Sequence, residues 1–179
     1  VNFNSPGQVV VAGEKIIIDT SLEIFKEAGA KRAIILPVSG AFHSELMSSA
    51  AEELEHSINQ TDFNDPVCPI YQNYNAKPET NKESIKRNLL LQLTNPVLWS
   101  QSVNRMIKDG FKNFFELGPG NTLQGLIRKI DSQVNTENQL GIHKSTKFGP
   151  EQPFVVRNVG DNWDNPSSND LYKDRKSVV

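Results

Sequence analysis

Apolar and polar residues alternate at the start of the chain and then settle into helical periods. Residues 1–12, Val-Asn-Phe-Asn-Ser-Pro-Gly-Gln-Val-Val-Val-Ala, predict strand, turn, strand. Ser5-Pro6-Gly7 supplies the turn, and Gln8 to Val11 is rich in β-formers. Ile18, Leu22 and Phe25 follow at helical spacing, with Ala28 three further on, so 14–28 is predicted helical. Gly29 is a natural stop for that helix. The run Ala33-Ile34-Ile35-Leu36 predicts a buried strand reaching Val38. The first forty residues thus read β-α-β, too few to close a sheet by themselves.

Further along, Met47, Ala50, Ala51, Leu54 and Ile58 mark one apolar face of a helix ending near Asn59. Residues 63–66 read as a loop, and Val67 to Tyr71 as a short strand whose Pro69 argues for an edge or a strand end. Thr80 with Glu83 is a capping-box pattern opening a helix with Ile85, Leu89 and Leu93 on one face. Trp99, Val103, Met106 and Ile107 form another helical face, closed by Gly110. Phe111 to Leu117 predicts a strand, and Leu123, Leu126, Ile127 and Ile130 a helix after Gly118-Pro119-Gly120. From residue 133 the chain turns polar and aperiodic, and only Phe154-Val155-Val156 suggests one more strand. The order of elements fits an α/β layered domain.

Composition narrows the functional classes. A length of 179 residues suits one domain with a core of ordinary size. The formal net charge of -2 and the lack of a basic stripe with aromatics give no reason to expect nucleic acid as partner. No apolar run approaches the length of a membrane span. Cys68 is the lone cysteine, so an internal disulfide is impossible. With no basic residue beside it, Cys68 reads as a small core residue rather than a nucleophile. The chain begins with Val1 and its only methionines, Met47 and Met106, sit inside patterned segments. The expectation is a piece of a longer protein.

Candidate chemistry converges on one histidine. His43, His56 and His143 are not at ligand spacing, and no metal site is expected. His56 lies off the apolar face of its helix and reads as solvated. The Gly-Pro-Gly turn lacks the glycine spacing and lysine of a phosphate-binding loop and reads mainly as a tight turn. His43 is delivered by a strand-to-helix turn, Ser39-Gly40-Ala41-Phe42, where it can serve as a general base or simply as a capping or core residue. Gln92 stands near a helix end, where carbonyls lack intrahelical partners and one can accept from a histidine ring N–H. Asn2 and Asn4 flank Phe3 on one face of an extended segment, as a polar solvent face or as two amides aimed at a ligand. No Gly-x-Ser-x-Gly elbow occurs in the 179 residues.

Several blocks together resemble the malonyl-CoA:acyl carrier protein transacylases, the bacterial-type acyltransferase family, in their C-terminal portion. They are Val1 to Gly13, Ala28 to Ala33, Leu36-Pro-Val-Ser-Gly-Ala-Phe-His-Ser44 and Gln92-Leu-Thr-Asn-Pro-Val97. Trp99 with Ser102-Val103, Glu116-Leu-Gly-Pro-Gly120, Leu123 and Gly125-Leu126 complete the set, in order, over residues 1 to about 131. The resemblance implies an α/β-hydrolase-like acyltransferase domain, from residue 41 to 132, preceded over 1–40 by the second half of a ferredoxin-like subdomain. Residues 133–179 do not match it. It implies that His43 is the catalytic histidine, partner of a serine in a Gly-His-Ser-x-Gly motif, and that the main-chain carbonyl of Gln92 orients it. It places Asn2, Asn4 and Phe42 near the substrate, Phe42 in the form typical of malonyl selection. The serine, the arginine for the malonyl carboxylate and part of the oxyanion site would lie upstream of Val1.

The activity so implied moves malonyl from coenzyme A to acyl carrier protein in fatty acid biosynthesis. It needs no cofactor beyond malonyl-CoA as substrate. The implied protein is a cytoplasmic monomer, or resides in a plastid or mitochondrion if eukaryotic, and has neither nucleic acid nor membrane as partner. Two alternatives stand beside it. One is a non-catalytic module that binds the acidic carrier protein through Lys26, Lys31 and Arg32. The other is an acyltransferase domain within a polyketide or fatty acid synthase.

Overall fold

A computed structural model describes residues 1–38, 40–118, 120–139, 154–157 and 175–178. The chain forms two compact units, residues 1–102 with 175–178 and residues 103–139 with 154–157. Both mix helices and strands, as the α/β expectation requires.

In the first unit, β1 (Asn2–Ser5) and β2 (Gln8–Glu14) form an antiparallel hairpin, as the alternation at the N-terminus predicts. A bulge falls at Asn4, between the pairs Phe3–Val9 and Ser5–Gln8. α1 (Lys15–Glu27) packs on β2 and turns Ile18 inward. It stops where Gly29 takes φ 96°. The Gly29 N–H then donates to Lys26 O and the Ala30 N–H to Phe25 O, the paired bonds of a Schellman ending.

The strand expected over 33–38 does not form as a ladder; a single bridge residue, Ile35, marks it, and Ile34 and Val38 are exposed. An apolar run becomes a strand only when a neighbour takes up its main-chain N–H and C=O groups. None of the named strands pairs with this run.

A 3-10 turn (Glu45–Met47) leads into α2 (Ser48–Asn59), with Met47 and Ile58 buried and His56 exposed, as expected. The short strand expected over 67–71 shrinks to β3 (Ile70–Tyr71), paired with β4 (Pro78–Glu79). Val67 and Cys68 therefore remain on a loop, and Cys68 is exposed, not a core residue. α3 (Lys82–Thr94) packs against α2. Its cap is Asn81 rather than Thr80: the Asn81 Oδ1 accepts from the N–H groups of Glu83 and Ser84, each at 3.0 Å. Its inward face also differs from expectation. Ile85 is buried, but Leu89 is 40 % exposed and Asn88 only 2 %. Asn88 can turn inward because its amide donates to Gln72 Oε1 at 3.0 Å, and Gln72 in turn donates to Ile85 O.

α4 (Trp99–Lys108) contains the boundary between the units and buries Ser102, Val103 and Met106. The second unit is built on β5 (Asn113–Leu117), with β6 (Asn135–Gln139) and β7 (Phe154–Arg157) parallel on its two sides. α5 (Thr122–Ile130) covers β5 and β6 and buries Ile127. β7 matches the strand suggested at Phe154, whereas β6 lies where the sequence reads as irregular. Its Asn-Thr-Glu-Asn-Gln stretch has no apolar alternation, and its main-chain pairing with β5 makes it a strand. β8 (Arg175–Val178) pairs antiparallel with β2 in the first unit.

Candidate active site

His43 stands at the end of a tight, small-residue turn. Gly40 and Ala41 are buried, and a Cβ on Gly40 would lie 3.2 Å from the Phe42 ring. That glycine allows the ring to lie against the turn. His43 itself has φ 61°, a left-handed conformation costing a non-glycine residue about 1–2 kcal/mol. The conformation is held on both sides. Ser44 Oγ donates back to Ala41 O at 2.6 Å, and the N–H of buried Met47 donates to Ser44 O at 3.0 Å. A backbone kept in a costly region by surrounding contacts is a mark of a positioned side chain.

The ring reaches the far end of α3. His43 Nδ1 lies 2.9 Å from the main-chain carbonyl oxygen of Gln92. A carbonyl only accepts, so Nδ1 carries the hydrogen. In the neutral ring Nε2 is then the acceptor, the state a general base requires. The Gln92 side-chain nitrogen is 3.5 Å from the same Nδ1. This is a contact and not a second hydrogen bond, since Nδ1 is already a donor and the Gln92 amide donates to Asn95 O and Pro96 O at 3.0 and 3.2 Å. Burial holds the His43 pKa below the ordinary histidine value, and the Gln92 bond opposes that shift. The ring therefore favours the neutral, proton-accepting form.

The other predicted residues are placed as follows. Asn2 is bridged in parallel to Val97, and the Phe3 N–H donates to Val97 O at 2.9 Å. The hairpin is thereby tied to the segment that follows Gln92. Asn2 and Asn4 are half-buried and Phe3 is exposed, so these asparagines are not a solvent face. The bulge at Asn4 interrupts the alternation on which a common face would rest. Phe42 is exposed beside His43. Lys26, Lys31 and Arg32 are exposed, and Lys26 pairs with Glu23 at 2.8 Å.

Glu116 is a residue whose task the sequence concealed. It is 1 % exposed on β5, and its two carboxylate oxygens accept from the N–H groups of Leu123 and Gln124 at 3.2 and 3.1 Å. The start of α5 thus receives its anion from within the chain. Of the segment Gly118-Pro119-Gly120, read from the sequence as a tight turn, Pro119 lies outside the described residues.

Among the described residues, no group of three or more His, Cys, Asp or Glu is arranged to hold a metal ion, and no helix is long and apolar enough to cross a membrane. No family model matches the chain. Individual relatives do. The malonyl CoA-acyl carrier protein transacylase of Bacillus subtilis is 43% identical over 135 residues, which are 75% of this chain and 43% of that protein. This chain is a homologue, over three quarters of its length, of malonyl CoA-acyl carrier protein transacylases. The transacylase of Staphylococcus aureus (strain COL) is 47% identical over 133 residues, 74% of this chain and 43% of its own. Among solved structures, the acyl carrier protein S-malonyltransferase of Vibrio cholerae O1 biovar eltor matches with TM-score 0.76 and 41% identity, over 79% of this chain and 46% of that one. A malonyl-transacylase in complex with its type II polyketide acyl-carrier protein matches with TM-score 0.75 and 40% identity, over 78% of this chain and 45% of that one. This transacylase homologue therefore spans less than half the length of the relatives it matches.

Proposed function

We propose that this chain supplies the histidine half of a malonyl-transferring site. The observation that carries the reading is the 2.9 Å contact between His43 Nδ1 and the Gln92 carbonyl, which leaves Nε2 as the proton acceptor. An uncharged main-chain acceptor fixes the tautomer, the task an aspartate performs in a Ser-His-Asp triad. The nucleophile is a serine hydroxyl, and no Gly-x-Ser-x-Gly turn is present in the 179 residues. In the reaction the serine oxygen attacks the thioester carbonyl of malonyl-CoA while its proton passes to His43 Nε2. The C–S bond then breaks, and the same proton leaves with the coenzyme A thiolate. The phosphopantetheine thiol of acyl carrier protein attacks the malonyl-serine ester next, and His43 moves the proton in the reverse sense. No further cofactor takes part.

In this proposal Asn2, Asn4 and Phe42 border the substrate. Residues 1–40 form half of a ferredoxin-like subdomain, and residues 41–132 belong to an α/β-hydrolase-like one. The whole protein works as a monomer in the cytoplasm or, in a eukaryote, in a plastid or mitochondrion. The test grafts residues 1–135 in place of the homologous segment of the Bacillus subtilis transacylase and follows malonyl transfer from malonyl-CoA to acyl carrier protein. Transfer is expected in the graft and should fall about 10²–10⁴-fold with His43→Ala, the usual worth of a general base. Undiminished transfer in His43→Ala would overturn the role given to His43.

A further inference from the structure

We infer that Pro96 is a positioning residue for His43: with no main-chain N–H, it leaves the Gln92 carbonyl open for the histidine ring. In an α-helix the carbonyl of residue i accepts from the N–H of residue i+4. For Gln92 that residue is Pro96, which has no N–H to give. The proline acts a second time through its neighbour, because the residue before a proline is pushed out of the helical region. Asn95 has φ -121° and ψ 156°, an extended backbone, and α3 ends at Thr94.

The groups around this helix end are satisfied in ways that spare the Gln92 carbonyl. Asn95 Nδ2 donates to Leu91 O at 2.8 Å. Gln92 Nε2 donates to Asn95 O and Pro96 O. The Val97 N–H turns away from the helix to Val1 O at 2.6 Å. The Gln92 carbonyl is met instead from 49 residues away, by His43 Nδ1. The histidine ring thus completes the C-terminal end of α3, and in return its hydrogen is fixed on Nδ1. An N–H at position 96 would compete for the same carbonyl and release the ring.

The functional weight of this inference rests on His43 as a base, but its test reads only where the proton sits on the ring. The chain of residues 1–179, labelled with 15N, is examined at a pH where His43 is neutral, and the long-range 1H–15N spectrum gives the ratio of the two tautomers. Pro96→Ala restores an N–H and is expected to raise the Nε2–H to Nδ1–H ratio about fivefold or more, the worth of an ordinary hydrogen bond. Lactic acid at position 96, introduced as an ester, lacks both the ring and the N–H, and is expected to keep the parental ratio. A parental ratio in Pro96→Ala would overturn the inference. So would an equal shift in both variants, because the pyrrolidine ring and not the missing N–H would then be responsible. If Pro96→Ala does not fold, the ester variant decides: a parental ratio supports the inference and a shifted one overturns it. Either result leaves the question of His43 in catalysis to the graft assay.

Discussion

Replacing Glu116 by Gln tests whether a strand carboxylate, rather than the glycine turn, organises the start of α5. The carboxylate is 1 % exposed and accepts two helix N–H groups, from Leu123 at 3.2 Å and Gln124 at 3.1 Å. A glutamine keeps one oxygen and sets an NH₂ against the other N–H. One hydrogen bond to a charged group is lost, worth about 1.5–3 kcal/mol. The negative charge beside the positive helix end is lost as well, worth about 0.3–1 kcal/mol. Glu116→Gln should therefore destabilise this unit by about 2–4 kcal/mol. Amide hydrogen exchange is the suitable assay, since it reads α5 separately from the rest of the chain. The amides of Leu123 and Gln124, and the α5 amides beyond them, should exchange at least about tenfold faster, with those of α2 and α3 unchanged. Exchange in α5 within twofold of the parent would refute the reasoning, and the turn would then hold the helix start without the carboxylate.

Two further outcomes are expected. Asn81→Ala removes both cap bonds to Glu83 and Ser84 and should cost the first unit about 1 kcal/mol in urea denaturation, whereas Thr80→Ala should cost much less. His43 binds its proton more weakly in the folded chain than in the unfolded one, so its contribution is complete above the unfolded value near 6.5 and is lost as pH falls toward the lowered folded value. Urea midpoints should drop between pH 7.5 and 5.5 less in His43→Gln than in the parent, and equal drops would count against a buried, neutral His43.

What the sequence made legible depended on how far each signal had to reach. The hairpin around Ser5-Pro6-Gly7, the stop at Gly29 and the apolar face of α2 are set by residues a few positions apart, and each appears where the pattern puts it. The helix-end position of Gln92 is of the same kind. Features that depend on a distant partner were hidden. Asn88 displaces Leu89 from the inner face of α3 because Gln72, sixteen residues earlier, supplies an acceptor. β6 is polar throughout and is a strand by virtue of β5, twenty-two residues before it. The run 33–38 shows the converse, an apolar segment without a ladder partner among the described residues. The candidate site combines both kinds of signal. The helix that presents the Gln92 carbonyl is written locally, and Asn95-Pro96 ends it by local stereochemistry. The approach of His43 to that carbonyl spans 49 residues, and no spacing rule predicts it. It rests instead on a left-handed turn braced by Ser44 and Met47, so the loop geometry of residues 40–47 should matter to the proton on Nδ1 as much as α3 does.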